Sequence, residues 1–422
     1  MRKIKNVHLF LCSMLMLVFA GACNGPEKEE VVEDDNPKTK KIVLPDGFAI
    51  EHLYSPSDSE KGSWVAMTFD DKGRMITSDQ YGGLFRLELP PIGSDSTVKP
   101  KIEALDFPKE NPADTSSNKV GIGFAQGLLW ANNSLYVMIN HWPNDVLSKG
   151  SGLYRLQDTD NDDKLDKITQ LLALNGEGEH GPHSIIQGPD SAIYIVAGNH
   201  TDLPKMDSYR LPNNWKHDNL FPHILDPQGH ATDRKEPGGW IAKTDAEGKH
   251  WELISAGYRN TFDIAFNDQG ELFAYDSDME WDFGMPWYRP TRIVHVTSGS
   301  ELGWRTGNGK WDPNYLDNLP ATLNIGQGSP TNLLYASKAK FPDKYRNSLL
   351  AFDWSFGIIY SVKLDEKGAT YKANAEEFVS GSPLPLTDGE IGPDGSLYFL
   401  TGGRRLESDL YRVYYKGHED IK

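Results

Sequence analysis

Short apolar runs, most of them five or six residues long and rich in β-branched and aromatic members, alternate along this chain with turns built from Asp, Asn, Gly and Pro. That texture predicts strands, with little helix. One unit recurs six times, at intervals of about 40 to 85 residues: an apolar run, a polar turn, then a second apolar run. The copies are VAMTFDDKGRMIT from Val65, GLLWANNSLYVMI from Gly127, SIIQGPDSAIYIV from Ser184, DIAFNDQGELFAY from Asp263, SLLAFDWSFGIIYSV from Ser348 and EIGPDGSLYFLT from Glu390. Each reads as a β-hairpin, the copy from Ser348 departing most from the pattern. Six hairpins at this spacing fit four-stranded blades with loop insertions. The expected fold is therefore all-β, a six-bladed β-propeller over residues 42–416 with a short tail at 417–422.

In an antiparallel hairpin the start of the first strand lies beside the end of the second. His180 and His183 are thus expected near His200, on the side away from the Gly188-Pro189-Asp190 turn. Imidazole titrates near neutral pH and serves as donor, acceptor or ligand, so such a cluster is a candidate for base or binding chemistry. If each hairpin supplies the two inner strands of a blade, the open ends of all six gather on one face of the ring. Those ends carry Trp64 with Asp79 and Gln80; Gln126 with Asn140 and His141; the three histidines; Arg259 and Asn260 with Asp276 and Asp278; and Asp388 with Arg404 and Arg405. Polar groups from several blades could converge there on one ligand. Trp64, His183, Asp276 and Asp278 are the candidates to contact substrate, whereas most of the 11 tryptophans are read as blade packing.

The N-terminus changes the picture of where the protein works. Arg2, Lys3 and Lys5 precede an apolar run from Val7 to Phe19 and then Ala20-Gly21-Ala22-Cys23, which reads as a signal peptide over 1–22. Small residues ahead of a cysteine resemble the lipobox of bacterial lipoproteins, which implies lipidation of Cys23 and a membrane anchor in the bacterial cell envelope. Residues 23–41 begin with an acidic stretch expected to be a disordered tether. Cys12 and Cys23 are the 2 cysteines, so the folded part has no disulfide, thiolate nucleophile or cysteine metal site. No CxxCH motif is present, so any electrons must leave to a separate carrier, a cytochrome or another acceptor. A formal charge of −17 disfavours nucleic acid.

The segments EHGPHSIIQGPDSAIYIVAGN, SAGYRNTFDIAFNDQGELFAYDSD and GSELGWR resemble the soluble quinoprotein glucose and sorbosone dehydrogenases, and still more the bacterial membrane-bound-dehydrogenase-like propellers. The resemblance implies oxidation of a sugar or polyol hydroxyl with hydride transfer to pyrroloquinoline quinone (PQQ). It assigns His180 as general base and Gln126, Arg259 and Asn260 as cofactor contacts. Arginine suits the carboxylates of such a quinone because its guanidinium binds them in a bidentate fork. Glu179 could orient the His180 imidazole or raise its basicity, or equally be a solvated loop carboxylate, and His200 and Arg404 are further candidate cofactor contacts. Two positions leave the family pattern: Phe262 stands where a glutamine contacts the cofactor, and Gly198-Asn199-His200 replaces Gly-Asp-Gln.

Two acidic clusters remain. Asp158, Asp160, Asp162 and Asp166 alternate as Ca²⁺ ligands do in a tightly curled loop, although Asp163 stands where such a loop wants glycine and Thr169 where it wants glutamate; the alternative is a solvated acidic hairpin tip. Asp276, Asp278, Glu280 and Asp282 could bind calcium or sugar hydroxyls, or pair with Arg289 and Arg292. The leading expectation is a PQQ-dependent sugar dehydrogenase. The alternatives are a non-catalytic carbohydrate-binding propeller and a non-redox carbohydrate lyase or hydrolase.

Overall fold

In the computed structural model, which describes residues 36–107, 121–143, 147–215, 217, 233–282, 285–306, 309–310 and 318–421, antiparallel sheets form six blades in a ring. The signal segment, Cys23 and the tether up to residue 35 lie outside the described residues. Blade one comprises Trp64–Phe69, Met75–Asp79, Leu84–Glu88 and Lys101–Ala104; blade two Ala125–Ala131, Ser134–Ile139, Gly152–Gln157 and Lys167–Ala173. Blade three holds Pro182–Gln187, Ile193–Ala197, Gly239–Thr244 and Trp251–Tyr258, with Ser208–Tyr209 added in parallel at its outer edge. Blade four is Thr261–Phe266, Leu272–Asp276, Thr291–His295 and Leu323–Gly326; blade five Pro330–Tyr335, Ser348–Asp353, Ile358–Lys367 and Thr370–Ser380. Blade six takes Leu386–Ile391, Leu397–Thr401 and Asp409–Tyr415, and its fourth strand is the N-terminal segment Phe48–Tyr54.

That last pairing closes the ring, running from Phe48 opposite Tyr415 to Tyr54 opposite Leu410. It is sealed by Asp409, whose carboxylate takes the His52 Nε2 at 2.8 Å, the Ser55 hydroxyl at 2.5 Å and the Lys38 ammonium at 3.0 Å. Lys38 belongs to the segment expected to be disordered. Residues 36–41 instead form a hydrogen-bonded turn, and Ile42 and Leu44 pack on the core shared by blades five and six. The buried carboxylate of Asp409 holds Lys38, so the described structure begins within the segment read as a tether.

Five of the six sequence hairpins are the inner strand pairs of their blades. The copy from Ser348 is displaced by one strand: it forms the second and third strands of blade five, and the innermost is Pro330–Tyr335. The reason is the link between them. Residues 336–347 hold a 3₁₀ turn and the four-residue helix Asp343–Arg346 in place of a short Asx turn, which hides the hairpin from a pattern search. Between sheets the core is continuous from blade to blade. Tyr136, Met138 and Leu153 of blade two meet Ile185, Ile195 and Trp240 of blade three, for example. Each such side chain contributes about 1.5–3 kcal/mol by leaving water.

Every innermost strand loses register at its upper end, between Trp64 and Ala66, Ala125 and Gly127, Pro182 and Ile185, Thr261 and Asp263, Pro330 and Asn332, and Leu386 and Asp388. A bulge inserts an extra residue and re-aims its side chain. The bulged positions hold Val65, Gln126, His183, Phe262, Thr331 and Thr387.

Candidate active site

Those six bulge residues, one from each blade, all line a cavity of about 470 Å³ at the mouth of the ring. The loops above complete it with Gln80, Tyr81, Phe124, Asn140, His141, Glu177, Glu179, His180, Arg259, Asn260, Asp278, Glu280, Trp354 and Arg404 among others. The structure thereby brings Gln126, Glu179, His180, His183, Arg259, Asn260, Asp278 and Arg404 into one site, as the sequence predicts. Trp64, Asp276 and His200 do not line it.

His180 is almost fully buried, and its Nδ1 lies 2.6 Å from Asn199 Oδ1. An amide oxygen only accepts, so the network assigns the proton to Nδ1 and makes Nε2 the accepting nitrogen. Glu179 does not orient this ring. Its carboxylate is taken by Arg404, which reaches across from blade six and lies over the Trp354 ring at 5.1 Å. Asn199 is thus the positioning side chain, and sequence reasoning saw it only as a departure from a family pattern. His200 packs its ring on His180 at 4.6 Å, which makes it a backing for the candidate base.

Asn260 fixes the neighbouring histidine. Its Nδ2 donates to the Glu179 carbonyl at 3.1 Å, which turns its Oδ1 toward His183 Nε2 at 2.9 Å. His183 stacks on Phe262 with ring centres 4.0 Å apart. Burial pushes the His183 pKa down to about 4, so it is neutral at physiological pH. Phe262, standing where the family pattern has a polar side chain, therefore forms an apolar wall with a neutral imidazole. Gly198 permits the junction between these elements: a Cβ there would stand 2.3 Å from Asn260 Oδ1 and 2.6 Å from the His180 carbonyl oxygen.

Asp276 is fully buried beneath the Arg259-Asn260 pair and accepts both of their backbone N–H groups, at 3.1 and 3.0 Å. Its other oxygen takes the Arg292 guanidinium at 3.1 Å. It is a support for the site, not a substrate contact. The Arg259 guanidinium bonds Ser277 Oγ at 3.1 Å and Glu280 at 3.0 Å. The Asp282 side chain lies outside the described residues. Trp64 is swallowed by the blade-one core, stacked on Tyr54 and donating its indole N–H to the Lys61 carbonyl. Asp388 sits below the mouth, accepting the Met67 N–H and an Asn332 amide proton, and burial pushes its carboxyl well above the usual range.

The predicted calcium loop lies on the opposite face, between the third and fourth strands of blade two. Asp158, Asp160 and Asp162 each place a carboxylate oxygen within 4.8 Å of the others, so this trio could hold a hard cation. Asp166 does not join them, because Thr159 claims its carboxylate through both N–H and hydroxyl. Asp163 adopts φ +70°, the conformation for which a calcium loop usually uses glycine. Its carboxylate instead ties blade two to Lys72, Arg74 and Arg86 of blade one, and Arg74 holds it well below the ordinary range.

No protein-family model matches the chain, and no curated protein matches it. Solved structures do share its fold. A putative oxidoreductase (glucose dehydrogenase) from Thermus thermophilus aligns over 87% of this chain and 100% of its own, with TM-score 0.58 and 17% identity. The PQQ-bound aldose sugar dehydrogenase from Streptomyces coelicolor aligns over 88% of this chain and 100% of its own, with TM-score 0.55 and 14% identity. The calcium structure of a family AA12 carbohydrate-active enzyme from Trichoderma reesei aligns over 89% of this chain and 97% of its own, with TM-score 0.59 and 11% identity. The fold is that of the propeller dehydrogenases.

Proposed function

We propose that the protein oxidises a hydroxyl of a sugar or polyol, with His180 as the base and an anionic quinone such as PQQ as the hydride acceptor. The observation that carries this reading is the pair of geometries above: an imidazole held by Asn199 with Nε2 as acceptor, in the same cavity as Arg259 and Asn260. An imidazole nitrogen left as hydrogen-bond acceptor can take a hydroxyl proton. Bound in the cavity, the quinone would supply the two-electron oxidising power that no side chain has.

The donor set fits such a group. Arg259 and Arg404 offer guanidinium forks and Gln126 an amide from a further bulge, whereas the Thr331 and Thr387 hydroxyls donate to the Leu386 and Trp64 carbonyls and keep only acceptor capacity. Each arginine now faces a carboxylate, Glu280 or Glu179, whose side chains are about half exposed. The Arg404–Glu179 pair is exposed on both sides and worth only about 0–1 kcal/mol, so a ligand carboxylate can replace it; Arg259 is buried, and a ligand carboxylate there would take the place of half-exposed Glu280 as its partner. Phe262 and neutral His183 supply a flat apolar wall for a planar ring. Ca²⁺ at Asp158, Asp160 and Asp162 would be structural, being on the far face. Export, lipidation at Cys23 and electron delivery to a separate carrier in the envelope complete the proposal.

A second reading, a carbohydrate-binding propeller without turnover, is favoured by one observation: both guanidiniums are already satisfied by carboxylates of the cavity. Titrating the protein with PQQ and Ca²⁺, then adding sugars with an artificial acceptor dye, separates the two. The dehydrogenase gives sugar-dependent dye reduction that His180→Ala abolishes. Sugar binding with neither quinone binding nor dye reduction identifies the binding module.

A further inference from the structure

The cavity holds a second oriented imidazole, which the oxidation does not use. His141, just after the Ser134–Ile139 strand of blade two, places its Nδ1 3.0 Å from Glu177 Oε2, and the same oxygen accepts the Trp142 backbone N–H at 3.0 Å. A carboxylate only accepts, so the network assigns the proton to Nδ1 and leaves the lone pair on Nε2. Among the described residues that Nε2 has no hydrogen-bond partner. The ring lies against Phe124 with centres 4.2 Å apart, and the His141 carbonyl accepts the Ser148 and Ser151 hydroxyls at 3.1 and 3.3 Å. His141 is therefore fixed through ring, side chain and backbone, and it lines the cavity together with Glu177 and Phe124.

Stability does not account for this dyad. The two side chains are 39% and 32% exposed, and such a pair contributes only about 0–1 kcal/mol. Exposure also separates the two imidazoles of the cavity by the chemistry they suit. His180 is 2% exposed and held by a neutral amide, as suits a hydride transfer shielded from water. His141 is open to solvent and held by a carboxylate, as suits a base that must activate water. Arg259 and Arg404, offered to the quinone, enter from blades four and six, and His141 enters from blade two on the other side of the ring.

We propose that His141 and Glu177 form a hydrolytic dyad that opens a sugar lactone within the same cavity. This rests on reading the cavity as the place where a cyclic sugar is oxidised at its hemiacetal hydroxyl, since loss of a hydride and a proton there leaves a lactone. His141 Nε2 takes a proton from water as the water oxygen bonds the lactone carbonyl carbon. The bond from that carbon to the ring oxygen then breaks, the ring oxygen takes the proton back from His141, and an open-chain hydroxy acid leaves as its carboxylate and a released proton. Glu177 is the positioning residue: it fixes the tautomer and faces the imidazolium that forms. Nothing is oxidised or reduced in this step. The acid differs from the oxidised sugar by one water, so the hydride and proton already removed are unaffected. Consuming the lactone also prevents the hydride from returning to it.

The test is acid release from glucono-1,5-lactone by the full chain with neither quinone nor dye present, followed at constant pH against the rate in buffer. The expected rate is on the order of a hundredfold above buffer. His141→Ala should bring it back to the buffer rate, and added imidazole should restore part of it beyond its effect on the lactone alone, a rescue that a merely structural histidine would not allow. Glu177→Gln should lower kcat about tenfold or more with KM unchanged. Both variants should melt with the parent protein, because the pair is exposed. Hydrolysis no faster than in buffer, or undiminished by His141→Ala, overturns the proposal and leaves the dehydrogenase reading to its own dye assay. Hydrolysis that His141→Ala abolishes, in a protein that never reduces dye, upholds the dyad and removes the dehydrogenase reading.

Discussion

Asn199 Oδ1 stands 2.6 Å from His180 Nδ1, so the side chain that orients the candidate base is a neutral amide. A carboxylate at that place would stabilise the imidazolium and raise its pKa, because an opposite charge within hydrogen-bond distance favours the charged form. Asn199→Asp should therefore move the acid limb of the rate profile upward by about one pH unit or more. Asn199→Ala frees the ring and should lower kcat about tenfold or more with little change in KM. Steady-state kinetics across pH checks both, and a profile unmoved by Asn199→Asp would remove His180 from the base role.

Gly198→Ala puts a methyl group where Asn260 Oδ1 and the His180 carbonyl already stand. The histidine hairpin and the Arg259-Asn260 strand must then part. Overpacking of this kind costs about 1–3 kcal/mol, and here the shift falls on the site itself. Activity should drop far more than thermal stability does.

Asp276 serves the site from beneath. Removing it in Asp276→Ala leaves Arg292 buried without its partner and frees two backbone N–H groups, a loss of about 3–5 kcal/mol. Denaturant unfolding should show the lower midpoint. A midpoint equal to that of the parent would mean the pair carries no net stability.

Buried carboxyls on the inner strands make stability depend on pH. Burial pushes Asp263 up to about 6 and Glu390 up to about 7. The folded chain keeps these protons where the unfolded chain has released them, so their stabilisation is complete below the unfolded values near 4 and is lost as pH rises through 6 to 7. His183 acts in the opposite direction. Its pKa is pushed down to about 4, so its stabilisation is complete above about 6.5 and is lost as pH falls toward 4. Melting curves should show Asp263→Asn and Glu390→Gln gaining on the parent protein from pH 4 to 8. His183→Gln should lose ground to the parent over the range from pH 4 to 6.5. Differences that stay constant with pH would contradict these assignments.

The blades were readable where a short Asx or Gly turn joins the inner strands, since local chemistry then marks both strands and the turn. Blade five lacks that mark because a helical link replaces the turn. The closing strand Phe48–Tyr54 was unreadable for another reason: its partner lies at the other end of the chain, and nothing in its own residues names Asp409–Tyr415. The site residues on strand ends were legible because topology alone gathers them. What each one does there was not, since Glu179 could face His180 or Arg404 and only the assembled ring decides. Trp64 shows the same limit, being polar enough for a mouth and apolar enough for the core that takes it. The bulges that aim Gln126, His183, Phe262, Thr331 and Thr387 inward have no common sequence signature at all.

The central claim is that the cavity removes a hydride and a proton from a carbohydrate hydroxyl. Mass analysis of the sugar recovered from the PQQ-loaded protein, set against moles of acceptor dye reduced, tests it most directly. The account predicts a product lighter by one hydride and one proton, formed in equal amount to the two-electron-reduced dye and absent with His180→Ala. A sugar recovered unchanged, or cleaved without any acceptor being reduced, would contradict it.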